Sequence, residues 1–318
     1  KAIEIDPFFV QPYCNLASIL LSAFQLKESE LSIRKAIEID PLCEEAHCSL
    51  GSILIIADRL KEAEISIRKA IDINPFYEEA HCKLALILLK QKKFIEGWKE
   101  YEWRWKSNSF LIINKKLQTT RPQWHLGCRG RVFLWPEQGV GDEILFCSLI
   151  PDFLQHVDEL IVQIDKRLIP LLKRTFGDKV DFYSKKEFVN QKDYDYQLPM
   201  GSLPKFLRTS LNSFNIAKQL RLKVNEEKSK KLRLELKGES NEKIIGISWK
   251  SKFSDTDAYK SLTLEQLILG IYSPGLRFVC LQYGDVDDEI NLIQSKYNIK
   301  IYQRKDIDVF YNIDDLCS

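Results

Sequence analysis

Val132, Phe133, Leu134 and Trp135 form a short unbroken apolar run, the pattern of a strand buried on both faces. Pro136 stops it, and Glu137-Gln138-Gly139-Val140-Gly141 is too polar and too glycine-rich to extend it. From Asp142 onward Ile144, Leu145, Leu149 and Ile150 fall at helical spacing, with Asp142 and Glu143 at the positive end of the helix. The stretch predicts strand, glycine loop and helix start, and ligands of open α/β sheets bind at loops of this type. Later runs predict a strand at Glu159–Ile164, a helix over Leu168–Phe176, and strands at Val180–Tyr183 and Tyr194–Leu198, the last followed by the loop Pro199–Pro204. A second series opens at Ile244–Trp249, with Lys250, Ser251 and Lys252 at its carboxyl end, and continues through Arg277–Gln282 and Ile299–Tyr302. Strands alternating with helices predict βαβ units and parallel sheets. Between the two series, Lys218–Lys243 is dense in Lys and Glu and predicts a solvated helix serving as a linker.

The first third follows another rule. Pro7, Pro41 and Pro75 recur at one fixed interval, within KAIEIDP (Lys1–Pro7), RKAIEIDP (Arg34–Pro41) and RKAIDINP (Arg68–Pro75). The period and pattern resemble the tetratricopeptide repeat, two antiparallel helices per unit. Small residues hold the packing positions, Ala17, Gly51 and Ala85 in the first helices and Ala36 and Ala70 in the second, while Leu16, Leu50 and Leu84 keep register. Each Pro forces a turn. The units are Val10–Cys43, Glu44–Tyr77 and Glu78–Leu111, behind the tail of an earlier one. After Gly97 the third unit departs: Trp98, Tyr101, Trp103 and Trp105 enter, and Arg104 stands where Ala36 and Ala70 stood. A capping helix docking onto the next domain accounts for this better than an aromatic ligand box. Cys14, Cys48 and Cys82, and His47 and His81, recur at fixed positions. Equivalent positions lie more than one helix spacing of about 8–10 Å apart, too far to share zinc at about 2.0–2.3 Å, so packing explains them. The inner face of stacked repeats is a candidate peptide groove.

Composition narrows the classes. A chain of 318 residues has room for two or more domains, and 45% apolar with 29% charged side chains is globular usage. Net charge +2 gives no reason to expect nucleic acid. No apolar run approaches the roughly 18–20 residues that span a bilayer. The chain opens on Lys1 within a repeat, without Met or signal peptide, and reads as a fragment. Eight Cys without CxxC spacing favour free thiols and a cytoplasmic location.

Gly139-Val140-Gly141 shares the start of a dinucleotide fingerprint, but Ile144 stands where GxGxxG needs its third Gly, and no Lys closes a phosphate loop. A dehydrogenase is therefore the third-ranked reading. The loop offers backbone N–H groups at a helix start beside the Asp142 carboxylate, which fits either a helix N-cap or a general base.

GWKEYEWRW (Gly97–Trp105), RPQW (Arg121–Trp124), WPEQGVGDEILFCSLIP (Trp135–Pro151), MGSLP (Met200–Pro204), GISWKS (Gly246–Ser251), KSLTLEQL (Lys260–Leu267) and FVCLQYGD (Phe278–Asp285) occur in this order. Together they resemble bacterial tetratricopeptide proteins that carry a glycosyltransferase domain similar to the ADP-heptose:lipopolysaccharide heptosyltransferases. The resemblance implies a GT-B fold of two Rossmann-like domains. The expected organisation is repeats over 1–111, a first Rossmann-like domain over 112–217, a charged linker over 218–243 and an incomplete second domain over 244–318 that binds the nucleotide-sugar. It matches Gly141-Asp142 to the pair supplying an inverting enzyme's catalytic Asp, and puts Lys250, Ser251 and Lys260 near the donor diphosphate. Gly139 and Gly141 are further donor or cleft candidates, while Gln138 and Gln282, at strand ends, are weaker ones, since loop-shaping hydrogen bonds explain them equally well. The resemblance implies that no metal is required, and the co-substrate is a nucleotide-sugar with no further cofactor. The family's remaining nucleotide-binding segment would lie beyond Ser318, so this fragment is expected to be a poor enzyme. The first reading is a transferase moving sugar to a protein or glycan acceptor recruited by the repeats; the alternative is a scaffold with a degenerate transferase domain.

Overall fold

The computed structural model describes residues 2–217, 219–237, 242–251, 261–308 and 310–317. Lys260 lies outside them. Contacts divide the chain into two units, Lys1–Gln163 with Phe188–Leu220, and Ile164–Glu187 with Arg221–Ser318. The repeats and the glycine loop thus share one unit.

That unit opens with the short helix α1 (Ala2–Ile5) and the hairpins α2 (Val10–Ser22) with α3 (Leu26–Ile39), and α4 (Glu44–Ile56) with α5 (Leu60–Ile73). The third pair is α6 (Glu78–Lys90) and α7 (Phe94–Tyr101). Ala17, Ala36, Ala70 and Ala85 are buried in the packing positions. At Gly51 a Cβ would lie 2.4 Å from Ile67 Cδ1, so the close approach of α4 and α5 depends on its absence. Each hairpin corner places one residue in left-handed geometry, Phe24, Asp58 and Lys92, which recur at the interval of the prolines. The turns between units are pinned alike: Tyr13 Oη donates to the Pro7 carbonyl at 3.2 Å, and His47 and His81 put Nε2 at 3.0 and 3.1 Å from the carbonyls of Pro41 and Pro75. The recurrent histidines are therefore turn ties. Among the described residues no group of three or more His, Cys, Asp and Glu could hold a metal ion.

Ion pairs also repeat along the array. Glu30 bridges Arg34 and Arg59, and Glu64 bridges Arg68 and Lys93. Burial pushes both carboxyls up, but hydrogen bonds from Arg34 and Arg59, and from Lys93 and Arg68, outweigh it and hold them below the ordinary value.

The third hairpin ends early. After α7 the chain tightens into a 3-10 turn at Glu102–Lys106 before α8 (Asn108–Ile113). β1 (Arg131–Trp135) then lies between parallel β2 (Glu159–Ile164) and β4 (Tyr196–Pro199), with Phe133 opposite Ile161 and Gln197. Behind β1 come α9 (Val140–Cys147) and α10 (Ile150–Phe153), and beyond β4 come α12 (Pro204–Leu207) and α13 (Leu211–Asn215). Val132, Phe133, Leu134, Ile150, Phe153 and Ile161 are buried at this core. The RPQW motif belongs to it: the Trp124 N–H bonds the Gln197 carbonyl at 2.9 Å, and its ring meets Phe153 and Phe206 edge-on. Two boundaries differ from expectation. The helix starts at Val140 rather than Asp142, and β4 begins two residues and ends one residue later than predicted, because Asp195 turns back to bond Arg131 through both N–H and carboxylate.

The other unit holds α11 (Ile169–Phe176), β3 (Asp181–Ser184) and α14 (Glu226–Lys237). Its three-stranded parallel sheet has the order β5 (Lys243–Ile247), β6 (Leu276–Cys280), β7 (Ile301–Tyr302), with α15 (Leu264–Ile271) and α16 (Asp287–Tyr297) between strands and α17 (Ile313–Cys317) last. Thr263 and Gln266 form a capping box that starts α15. Ile247, Trp249, Ile268, Phe278 and Ile293 make its core. The expected strand at Ile299–Tyr302 shortens to two residues, and the charged helix occupies Glu226–Lys237, with Leu232 buried. All eight cysteines are free thiols.

Candidate functional site

The carboxyl end of β1 carries the chemistry singled out by its sequence. Glu137 turns inward directly after the strand, where Arg104 from the 3-10 turn meets it. Arg104 Nε donates to Glu137 Oε1 at 3.1 Å and its Nη2 to Oε2 at 2.9 Å, with side chains 3% and 0% exposed. The same guanidinium reaches Ser202 Oγ at 2.9 Å, Glu102 Oε1 at 2.7 Å and the Tyr101 carbonyl at 3.0 Å, and Ser202 Oγ donates to Glu102 Oε1 at 2.7 Å. Its donors are thus nearly all used, as burial of a cation requires. Burial works against the Arg104 charge, but Glu137 and Glu102 outweigh it and raise its pKa; burial likewise pushes the Glu137 carboxyl up, against the pull of Arg104. Gly201 lets the three segments meet. A Cβ there would stand 1.6 Å from Glu137 Oε1.

Neighbouring aromatics fasten the repeat cap to this end of the sheet. The Trp105 ring lies 5.1 Å from Trp135, Trp98 Nε1 donates to the Arg208 carbonyl at 2.8 Å, and Trp103 stacks on His81 with centroids 3.7 Å apart. Arg104, the departure from the small-residue register, is therefore a docking residue. Glu137, Arg104, Ser202 and Glu102 were not among the expected site residues. The available signal was an Arg in an Ala position together with a Glu between an apolar strand and a glycine loop.

In the loop itself, Gln138 Nε2 donates to Tyr101 Oη at 2.7 Å. Burial pushes the Tyr101 phenol up; Arg104 opposes this, and Glu137 and Asp142 add to it. Gly139 is the N-cap of α9, with an extended backbone, and Asp142 is the third residue of the helix. The N-cap alternative for Asp142 thus fails: among the described residues nothing hydrogen-bonds its half-buried carboxylate. Neither loop glycine has a positive φ. A Cβ on Gly141 would meet nothing within 4 Å, and one on Gly139 only Asp142 Oδ2 at 3.8 Å. The fold tolerates side chains at both, so the open space beside the helix start is not demanded by packing.

In the second unit Gln282 is buried and spent. Its Oε1 accepts from Ser248 Oγ and the N–H groups of Trp249 and Lys250 at 2.9, 2.9 and 3.0 Å, and its Nε2 donates to the Lys250 carbonyl at 2.9 Å. It shapes the loop after β5. Lys250 Nζ pairs with Glu289, which also accepts from Trp249 Nε1 at 2.8 Å. Lys250 and Ser251 line a cleft of about 690 Å³ with Ser261, Thr263 and Glu265.

A family model for the tetratricopeptide repeat matches residues 10–41 and 44–77. The N-terminal array is built of tetratricopeptide repeats. Protein FlbA of Caulobacter vibrioides is 26% identical over 242 residues, covering 70% of this chain and 40% of FlbA, so the chain spans less than half the length of that relative. Two solved structures are similar to part of the chain: MamA, 22% identical over 35% of this chain and 65% of its own with a TM-score of 0.32, and pilF of Pseudomonas aeruginosa, 21% identical over 32% and 46% with a TM-score of 0.31. Among the described residues no helix is long and apolar enough to cross a membrane.

Proposed function

We propose that this is a tetratricopeptide-bearing glycosyltransferase of GT-B type, which uses Asp142 to move a sugar from a nucleotide donor to a protein or glycan acceptor recruited by the repeats. Asp142 takes the proton of the acceptor hydroxyl as its oxygen attacks the anomeric carbon. The bond from that carbon to the diphosphate breaks with inversion, and a nucleoside diphosphate leaves. Backbone N–H groups and cations neutralise the leaving group. The observation that carries the reading is the Asp142 carboxylate, unbonded in the first turn of α9 beside two glycines whose missing side chains leave open space.

The experiment compares wild type with Asp142→Asn across a panel of UDP-, GDP- and ADP-sugars, reading released nucleotide and transferred sugar. Asn keeps the shape and removes the basicity. The expected result is a fall of roughly two to four orders of magnitude in transfer rate at unchanged melting temperature. Equal and measurable turnover in the two proteins removes Asp142 from the mechanism.

A scaffold without catalysis is the second reading. It is favoured by the side chains of Gln138, Gln282 and Lys250, all engaged within the protein. Under it, the repeats' peptide-binding surface is the function.

A further inference from the structure

One feature of the repeats serves neither their packing nor the glycine loop. The residue after each repeat Pro is a large apolar side chain held in solvent: Phe8 is 79% exposed, Leu42 67% and Phe76 79%. These three share the period of the prolines they follow. Each turn is built the same way. The N–H of the exposed residue bonds a side-chain oxygen two positions earlier, Asp6 at 2.9 Å, Asp40 at 2.9 Å and Asn74 at 3.1 Å. The preceding Pro fixes its own φ, and its carbonyl is tied to Tyr13, His47 or His81. The turn uses the backbone of residues 8, 42 and 76 and nothing of their side chains. A polar residue would make the same Asx turn, so the fold does not account for their apolar character.

The charge around them is mostly negative, with Lys35 pairing Glu38 and Lys83 pairing Glu79 at the margins. Residues 4–9, 38–45 and 72–79 carry two, four and three carboxylates and no Lys or Arg. Part of this is helix chemistry, since Glu44, Glu45, Glu78 and Glu79 sit in the first turns of α4 and α6, where the dipole favours them. Asp6 and Asp40 stand outside any helix. α2 touches α4 and α4 touches α6, so equivalent turns lie little more than one helix spacing of about 8–10 Å apart, which an extended chain covers in about three to four residues.

We infer that this turn edge is a docking surface for an extended basic segment of a partner protein, whose apolar side chains, spaced about three to four residues apart, pack on Phe8, Leu42 and Phe76 while its Lys or Arg residues face the carboxylates between them. This surface lies along the inter-repeat turns, and binding there is independent of any sugar transfer.

The test uses short synthetic peptides, Lys-rich, with three Leu set about three to four residues apart to match the turns. Controls are a version with the three Leu made contiguous and a version with Lys replaced by Glu. Binding is read by fluorescence anisotropy against wild type and the triple variant Phe8→Ser, Leu42→Ser, Phe76→Ser. Because only backbone atoms of these residues serve the fold, the variant should keep its helical circular dichroism and melting temperature. The expected result is saturable binding of the spaced basic peptide, at least tenfold weaker in the triple variant and in high salt, with both control peptides weaker still. Equal binding to the triple variant, or equal binding of the contiguous or acidic peptide, overturns the proposal. So does sedimentation showing a wild-type dimer that the triple variant abolishes, which would assign the edge to a second copy of the chain.

Discussion

Replacing Arg104 by Met tests whether the Arg104–Glu137 pair joins repeats and sheet. Met keeps much of the length of the side chain and removes the charge, leaving Glu137, with 0% of its side chain exposed, facing Ser202 and Glu102 without a counter-ion. Removing one partner of such a pair costs about 3–5 kcal/mol, because the remaining charge stays buried. At about 2–4 °C per kcal/mol for a body of this size, the melting temperature should fall by roughly 6–20 °C. Glu137→Gln alone leaves Arg104 with Glu102 still at 2.7 Å, and should cost less. The assay is a double-mutant cycle by guanidinium unfolding, followed by fluorescence of the Trp105–Trp135 contact. The coupling between Arg104→Met and Glu137→Gln should exceed about 1 kcal/mol. Additive effects, or a loss below about 1 kcal/mol for Arg104→Met, would refute the reasoning, since they would mean the pair is neither buried nor coupled as described.

Two further outcomes follow from other positions. Gly201→Ala should destabilise by roughly 3 kcal/mol or more, because its methyl displaces the Glu137 carboxylate from Arg104, and unfolding within about 0.5 kcal/mol of wild type would show that the segments separate freely. Glu30 and Glu64 are held below the usual carboxylate range, so their contribution is present above about pH 4.3 and lost as pH falls through their lower native values. Each pair is part-exposed and worth at most about 1 kcal/mol. Melting curves from pH 6 to pH 3 should therefore steepen less on the acid side in Glu30→Gln, Glu64→Gln than in wild type, and superimposable acid limbs would contradict this.

The repeats were legible because their signals are local and recur: Pro7, Pro41 and Pro75 set the period, and small residues mark the packing face of every helix. Strand β1 and its glycine loop were legible for a similar reason, an apolar run cut by Pro136. What stayed hidden depends on long-range meeting. Glu137 is 33 residues from Arg104 and Ser202 is 98, and no periodicity joins them. The glutamines show the same limit from the other side. At a strand end, a ligand-binding amide and a loop-bracing amide have one sequence pattern, and only the backbone partners of Gln282 separate them. Asp142 was misread as a possible cap because the helix begins two residues earlier, at Val140, with Gly139 in the capping position.

The position of Arg104 bears on how such a protein can be assembled and divided. A repeat array that merely abutted its neighbour could be cut off, exchanged for another, or lengthened at its inner end, as shuffled modules are. Here the last repeat supplies the only cation hydrogen-bonded to Glu137 among the described residues. A cut between Lys106 and Arg131 would strand an anion in the interior of the sheet half and take Glu137 and Ser202 away from Arg104, leaving it Tyr101 and Glu102. Lineages that traded the repeats for another recruiting module would have to change position 137 in the same step, so the inner end of the array should exchange far less freely than its outer end.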